Sequence, residues 1–385
     1  RVDVGTDGGF TKTSADTNVT LTIEPGVIIY GGTGVSWLAV NRGNKINAVG
    51  TATRPIIFTS RDNVLGLNSE TSQGQWGGVV LMGRGRITDC TTGSTGAGTC
   101  ERQTEGAADP ARFGGADDAD NSGQMSYVQI RYSGYVLGSN IELQSLTTEG
   151  VGSGTVLDHI MSYNSSDDGS EHFGGVPRMK YYIAVGADDD SLDVDTGARA
   201  DFQYGLLIQR PGAGDGLMEI DSNGFESDAP RTKLQISNFT ILQPQVSSNT
   251  EANALASLFY RGNADVTLAN SVVVTPNNEC LRMNGSSATP ATLTARSTVM
   301  SCNATKYLGS GSYTAATVAA QFGTGSNNNN DAFASTLTGT YINGANETAV
   351  PAFAVTSLGA FFSPTTYVGA VQNSADTWYA GWTCN

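Results

Sequence analysis

The chain has 385 residues, of which 48 are Gly and only 15% are charged. Its 36 acids against 21 bases give a net charge of −15, which excludes a nucleic-acid binder, because phosphate contacts need clustered Lys and Arg. No stretch approaches the roughly 18 apolar residues of a membrane-spanning helix, and a hydrophobic content of 39% excludes wholesale disorder.

In chain order, the polar stretch 1–20 reads as an N-terminal cap. From residue 21, short alternating apolar strands recur at 56–58, 79–81, 127–130, 159–161, 182–185, 205–208, 239–242 and 272–274. The step is 23 residues from Ile57 to Val80, from Ile160 to Ile183 and from Ile183 to Leu206; it is 33 from Leu206 to Phe239 and from Phe239 to Val272. Fixed periods of this size mean a solenoid, propeller or array. Each period holds two or three short strands between Gly, Asn and Asp corners, which suits windings of about 22 residues in an all-β parallel β-helix. The longer steps are then the same winding with a loop extruded from one corner. We expect the β-helix over 21–302 and an irregular C-terminal cap or assembly region over 303–385. That region holds a short helix near Tyr313 to Phe322 and an aromatic tail (Phe361, Phe362, Trp378, Tyr379, Trp382).

Five cysteines punctuate this path. Cys90 and Cys100 bracket a Thr/Gly/Ser loop, and Cys280 and Cys302 bracket about one winding. Two local disulfides, Cys90 with Cys100 and Cys280 with Cys302, are the economical pairing and imply an oxidising compartment. Cys384 is left over. The chain begins at Arg1 rather than Met, so we expect export to the cell exterior by a signal sequence since removed.

The run 21–28 (LTIEPGVI), followed by 42–51 (RGNKINAVGT) and 55–60 (PIIFTS), resembles the opening windings of a family of secreted or surface-anchored bacterial proteins. Gln75-Trp76-Gly77-Gly78, Asp167-Asp168-Gly169 through Phe173-Gly174-Gly175, Asp188-Asp189-Asp190 through Asp193, and 221–226 (DSNGFE) continue the likeness, which covers about residues 19 to 300. The resemblance implies a right-handed parallel β-helix and a surface location. It implies no activity, since the family has no established common function.

The strongest chemical feature is a run of acids. Asp167, Asp168 and Glu171 are followed by Asp188, Asp189, Asp190, Asp193 and Asp195, then by Asp215, Glu219, Asp221, Glu226 and Asp228. Asp167 to Asp189, Asp168 to Asp190, Glu171 to Asp193 and Asp193 to Asp215 are each 22 residues. One winding therefore stacks like charges about 4.8 Å apart, where each pair repels by about 3 kcal/mol at an effective dielectric near 20. Three things relieve that: a hard cation, retained protons, or Arg178 and Arg199 as counter-ions. Calcium is the natural cation, because it takes six to eight oxygens in loose geometry. The expected ligands are Asp167, Asp168, Glu171, Asp189, Asp190, Asp193 and Asp195, although acids that simply face solvent on separate corners remain the alternative.

The two histidines, His159 and His172, offer too little for a zinc site or a triad; His159 is expected at an outward or corner position. No catalytic set stands out. If the chain cleaved acidic polysaccharide, Lys180 and Arg178 would be the bases placed between acidic segments. The composition favours instead a secreted, calcium-braced, non-catalytic scaffold that assembles with copies of itself into a filament or layer, or adheres to a surface glycan. A calcium-dependent polysaccharide lyase or glycan-binding module is the alternative.

Overall fold

A computed structural model of the chain describes all residues except 33–34, 106, 108, 139–140, 223–226, 249–255, 287–288 and 384–385. Cys384 and Glu226 therefore lie outside the described residues. The chain winds as a right-handed parallel β-helix, its windings feeding one strand to one long sheet and one or two to another. One sheet has ten strands, in the order Val2–Val4, Trp37–Val40, Gly78–Met82, Leu146–Glu149, Ser170–Phe173, Asp193–Asp195, Met218–Ile220, Ala256–Tyr260, Glu279–Asn284 and Tyr307–Ser310. The other has thirteen, with Thr20–Ile23, Lys45–Val49, Gly123–Arg131, Val156–Tyr163, Arg178–Val185, Arg199–Ile208, Thr232–Leu242, Ala264–Ala269 and Thr292–Arg296 along its spine.

Alternation within each strand sends every second side chain inward, so equivalent positions stack into columns. One column runs Ala48, Met125, Leu157, Met179, Phe202, Ile236, Leu268, Ala295 across successive rungs, and every member is buried. A second runs Ile56, Val128, Ile160, Tyr182, Gly205, Phe239. Gly205 is required there, because a Cβ would stand 2.1 Å from Cε1 of the Phe239 ring.

Between the two columns each rung of the thirteen-stranded sheet turns through one left-handed residue: Tyr127, His159, Tyr181, Tyr204, Asn238 and Asn270, with φ from 46° to 64°. The sequence places glycine, Asn and Asp at corners; four of these corners are instead aromatic. Stacking accounts for it. The rings of Tyr127, His159, Tyr181 and Tyr204 lie 4.2, 4.3 and 4.8 Å apart, near-parallel, at the spacing the rungs impose. His159 is outward of the core, as expected for an alternating position, yet only 8% exposed.

The C-terminal tail covers it. Asn270 donates to the Phe353 carbonyl at 3.0 Å, Asn238 to that of Tyr367 at 2.8 Å and Gln203 to that of Ser363 at 2.8 Å. Gln129 reaches the Trp382 carbonyl, so the tail runs back along the flank from late rungs to early ones. Trp382 is fully buried against Tyr127 and His159. The region read as one cap thus has two parts: this flanking strap, and a helix, Ala315–Phe322, that lays Val318 and Phe322 on the last rung's core. Thr314 caps that helix through a reciprocal pair of bonds with Thr317. Replacing it, Thr314→Ala, is expected to cost about 1 kcal/mol, read as a lowered urea midpoint; an unchanged midpoint means the cap contributes nothing.

The repeat arithmetic holds in part. Ile183 pairs with Leu206 as spaced, but Ile160 pairs with Tyr182 at 22 residues, Leu206 with Thr240 at 34 and Thr240 with Val272 at 32. Ile57 and Val80 are not rung neighbours: Ile57 pairs with Gln129, and Val80, in the other sheet, with Ala39 and Thr147. Loop insertions change the winding length, so equal spacing there was coincidence. Both expected disulfides are present, Cys90 to Cys100 and Cys280 to Cys302.

Candidate metal centre

The acids gather on the outer face of the ten-stranded sheet. Register places Glu171 beside Asp193 and Asp193 beside Glu219, on three successive rungs. At the adjoining corner the amide of Asp190 donates to Asp168 Oδ1 at 2.9 Å, so those two acids are also stacked. Two sets of three carboxylates result, Asp168 with Glu171 and Asp193, and Asp190 with Asp193 and Glu219. Within each set the ligand oxygens all lie within 4.8 Å of one another, a spread that one hard cation with 2.3 to 2.6 Å bonds can bridge.

All seven expected ligands, Asp167, Asp168, Glu171, Asp189, Asp190, Asp193 and Asp195, line one open cleft here. Four further carboxylates join them: Glu219 and Asp221 from the next rung, Glu105 from the insert that carries the first disulfide, and Glu142 from a hairpin at Tyr135–Gly138 and Ile141–Leu143. Asp215, expected beneath Asp193, is not in the cleft; it is fully buried and accepts from Ser247 Oγ at 2.9 Å. Its rung carries four extra residues, which moves Glu219 into the stacked position.

Among the described residues the cation within ion-pair distance of these acids is neither Arg178 nor Arg199; Arg102 acts on Glu105 and Asp195, and Arg282 on Glu219, from further off. Arg261 Nη1 lies 2.8 Å from both Glu219 Oε1 and Asp221 Oδ2. Arg199 pairs with Asp118 at 2.7 Å and Arg178 with Asp201 at 3.5 Å, both on the thirteen-stranded sheet side. Lys180 is there too, donating to Ser363 Oγ at 2.7 Å with its ammonium over the Phe361 ring. Lys180 and Arg178 therefore do not face the acidic cleft, and a lyase mechanism that pairs them with ions in it has no geometry.

Electrostatics in the cleft are strained. Glu171 and Asp190 are 8% and 4% exposed, and neither side chain has a hydrogen bond or ion pair among the described residues. Asp193 Oδ1 is likewise buried without a hydrogen-bond partner. Burial pushes the carboxyls of Asp168, Glu171, Asp190, Asp193 and Asp195 well above the usual range. Neighbouring carboxylates push the same way, chiefly Asp167 on Asp168, Asp193 on Glu171, Asp189 on Asp190, Glu219 on Asp193 and Asp221 on Asp195. Asp167 is pushed up to about 8, again mainly by burial. Burial opposes the charge of Arg261, yet Asp221 and Glu219 outweigh it and hold the guanidinium above its ordinary range. His172 belongs to the fold rather than the site: its Nδ1 is 2.7 Å from Thr148 Oγ1, and burial pulls it down to about 3.

A winding path of parallel rungs with an acidic outer face defines the class of the molecule. The family model described as a pectate-lyase-like β-helix domain matches residues 10–383, and the chain belongs to that family. No curated protein and no solved structure matches it.

Proposed function

We propose that the protein is an exported, non-catalytic β-helix scaffold whose rungs are braced by calcium bound in the acidic cleft. The carrying observation is the pair of stacked carboxylate sets that contain Glu171 and Asp190, buried acids without a compensating partner among the described residues. Eleven carboxylates line the cleft against one guanidinium. A buried charge without a counter-charge costs several kcal/mol, and an oxygen-loving divalent ion removes that cost where carboxylate oxygens already face one another. Asp167, Asp189 and Asp195 widen the negative field around the two sets. The two disulfides support an oxidising compartment, and no helix among the described residues is long and apolar enough to cross a membrane.

Assembly with copies of itself is supported at one end only. The first strands leave Val2, Ile28 and Tyr30 exposed at 63%, 55% and 54% on an unpaired edge, an invitation to further pairing. The helix Ala315–Phe322 covers the other end. Contacts through the bare edges would close at a pair rather than continue as a filament.

The lyase reading keeps one favourable observation, the family's likeness to pectate lyases. Arg261, held charged by two acids, does not suit the base that reading needs; Arg282, pulled down by burial and over the Phe259 ring at 4.8 Å, is the nearby arginine that would. Equilibrium dialysis of the chelator-treated chain is expected to show saturable calcium binding. Binding no greater than background at millimolar calcium overturns the proposal, and ultraviolet-absorbing unsaturated products released from pectate or alginate would replace the scaffold with an enzyme.

A further inference from the structure

We propose that the cleft takes two calcium ions that share Asp193, and that Arg261 is a tethered counter-ion that one of them must displace from Glu219. This rests on the calcium reading above and adds its regulation. The geometry is asymmetric. In the first set, Asp168, Glu171 and Asp193 have oxygens within 4.8 Å of one another, and no basic side chain among the described residues is within ion-pair distance of any of them. In the second, Asp190 and Asp193 are equally open, but Glu219 is already engaged, because Arg261 Nη1 donates to its Oε1 at 2.8 Å.

Both sets contain an acid more than nine-tenths buried and unpartnered among the described residues, Glu171 in one and Asp190 in the other, so each independently calls for a cation. Asp193 belongs to both and stands on the middle rung of the three. A carboxylate with two oxygens can ligate an ion on either side.

An ion entering the first set meets no competitor. An ion entering the second must draw Glu219 away from a charge-assisted hydrogen bond, and it also feels the repulsion of the first ion across Asp193. Arg261 can yield Glu219: its side chain is 39% exposed, and the same Nη1 has a second carboxylate, Asp221 Oδ2, at 2.8 Å. The first ion therefore braces the rungs at low calcium, and the second responds to higher calcium by taking Glu219 from Arg261, which keeps Asp221.

Calorimetric titration of calcium into the chelator-treated full chain tests this. Wild-type protein is expected to take two ions, the second at least about tenfold weaker. Arg261→Gln is expected to tighten the second about tenfold and leave the first unchanged. Arg261→Lys, which keeps the charge, is expected to leave the second ion weak. Arg231→Gln removes an equal charge from the pair with Asp265 on the other sheet and is expected to change neither. A single ion per chain overturns the inference while the calcium reading stands, and so does an Arg261→Gln titration identical to wild type or matched by Arg231→Gln. Absence of any binding removes both.

Discussion

Stripped of divalent ions, the protein is expected to lose stability as pH rises from about 4 to about 8, and millimolar calcium is expected to restore it. The window follows from the carboxyls of the cleft. Asp167 moves from an ordinary 3.8 to about 8 on folding, and Asp168, Glu171, Asp190, Asp193 and Asp195 move in the same direction. Between those limits the folded chain holds protons that the unfolded chain has released, so stability falls with rising pH by about 1.4 kcal/mol per unit for each such group. Below pH about 4 both states are protonated and the penalty vanishes. Calcium reverses the sign, because it binds the deprotonated acids: its affinity rises with pH, and each ion present at a hundredfold excess over its dissociation constant adds about 2.7 kcal/mol. Urea midpoints across this range, with chelator and with calcium, measure it. Equal midpoints in the two conditions at pH near 8 would remove the cation from the account.

The second large effect concerns Asp193, which has a like charge on the rung at either side. Asp193→Asn keeps the shape and removes the charge. In chelator at pH near 8 the variant is expected to be more stable than wild type by about 1–3 kcal/mol, because a group that is costly to ionise there has gone. In calcium it is expected to be less stable than wild type by a similar amount or more, since the ligand common to both carboxylate sets is lost. Opposite signs in the two conditions are the diagnostic. A variant destabilised equally in both would make Asp193 a packing residue and nothing more.

The legibility of the site depended on insertions. Glu171 and Asp193 are separated by an uninterrupted winding, so an offset of 22 placed them correctly. The next step has 26 residues, from Asp193 to Glu219, and the same arithmetic pointed to Asp215, which is buried beneath Ser247. Glu105 and Glu142 enter from an insert and a hairpin, where no period operates. Arg261 follows directly on the strand Ala256–Tyr260, one rung beyond the acids, whereas the bases that lie between acidic segments in the sequence are Arg178 and Lys180. Those two are close to Glu171 in the chain and remote from it in space, because the path turns a corner between Ser170–Phe173 and Arg178–Val185 into the other sheet. The aromatic tail shows the same limit. Trp378 and Trp382 read as part of an irregular cap or assembly region at one end, whereas they roof a stacked column of Tyr127, His159 and Tyr181 on the flank.

The residues by themselves determined the winding, the two disulfide pairs and the stacking of acids across at least one rung. These follow from local alternation and short-range spacing, which each coil repeats regardless of its neighbours. The direction each acid faces, the choice of Arg261 over Arg178 as counter-charge, and the return of the tail along the flank were decided only in three dimensions. Loop lengths set the register between rungs, and burial, which exists only once the rungs are stacked, sets the charge that the cleft must neutralise.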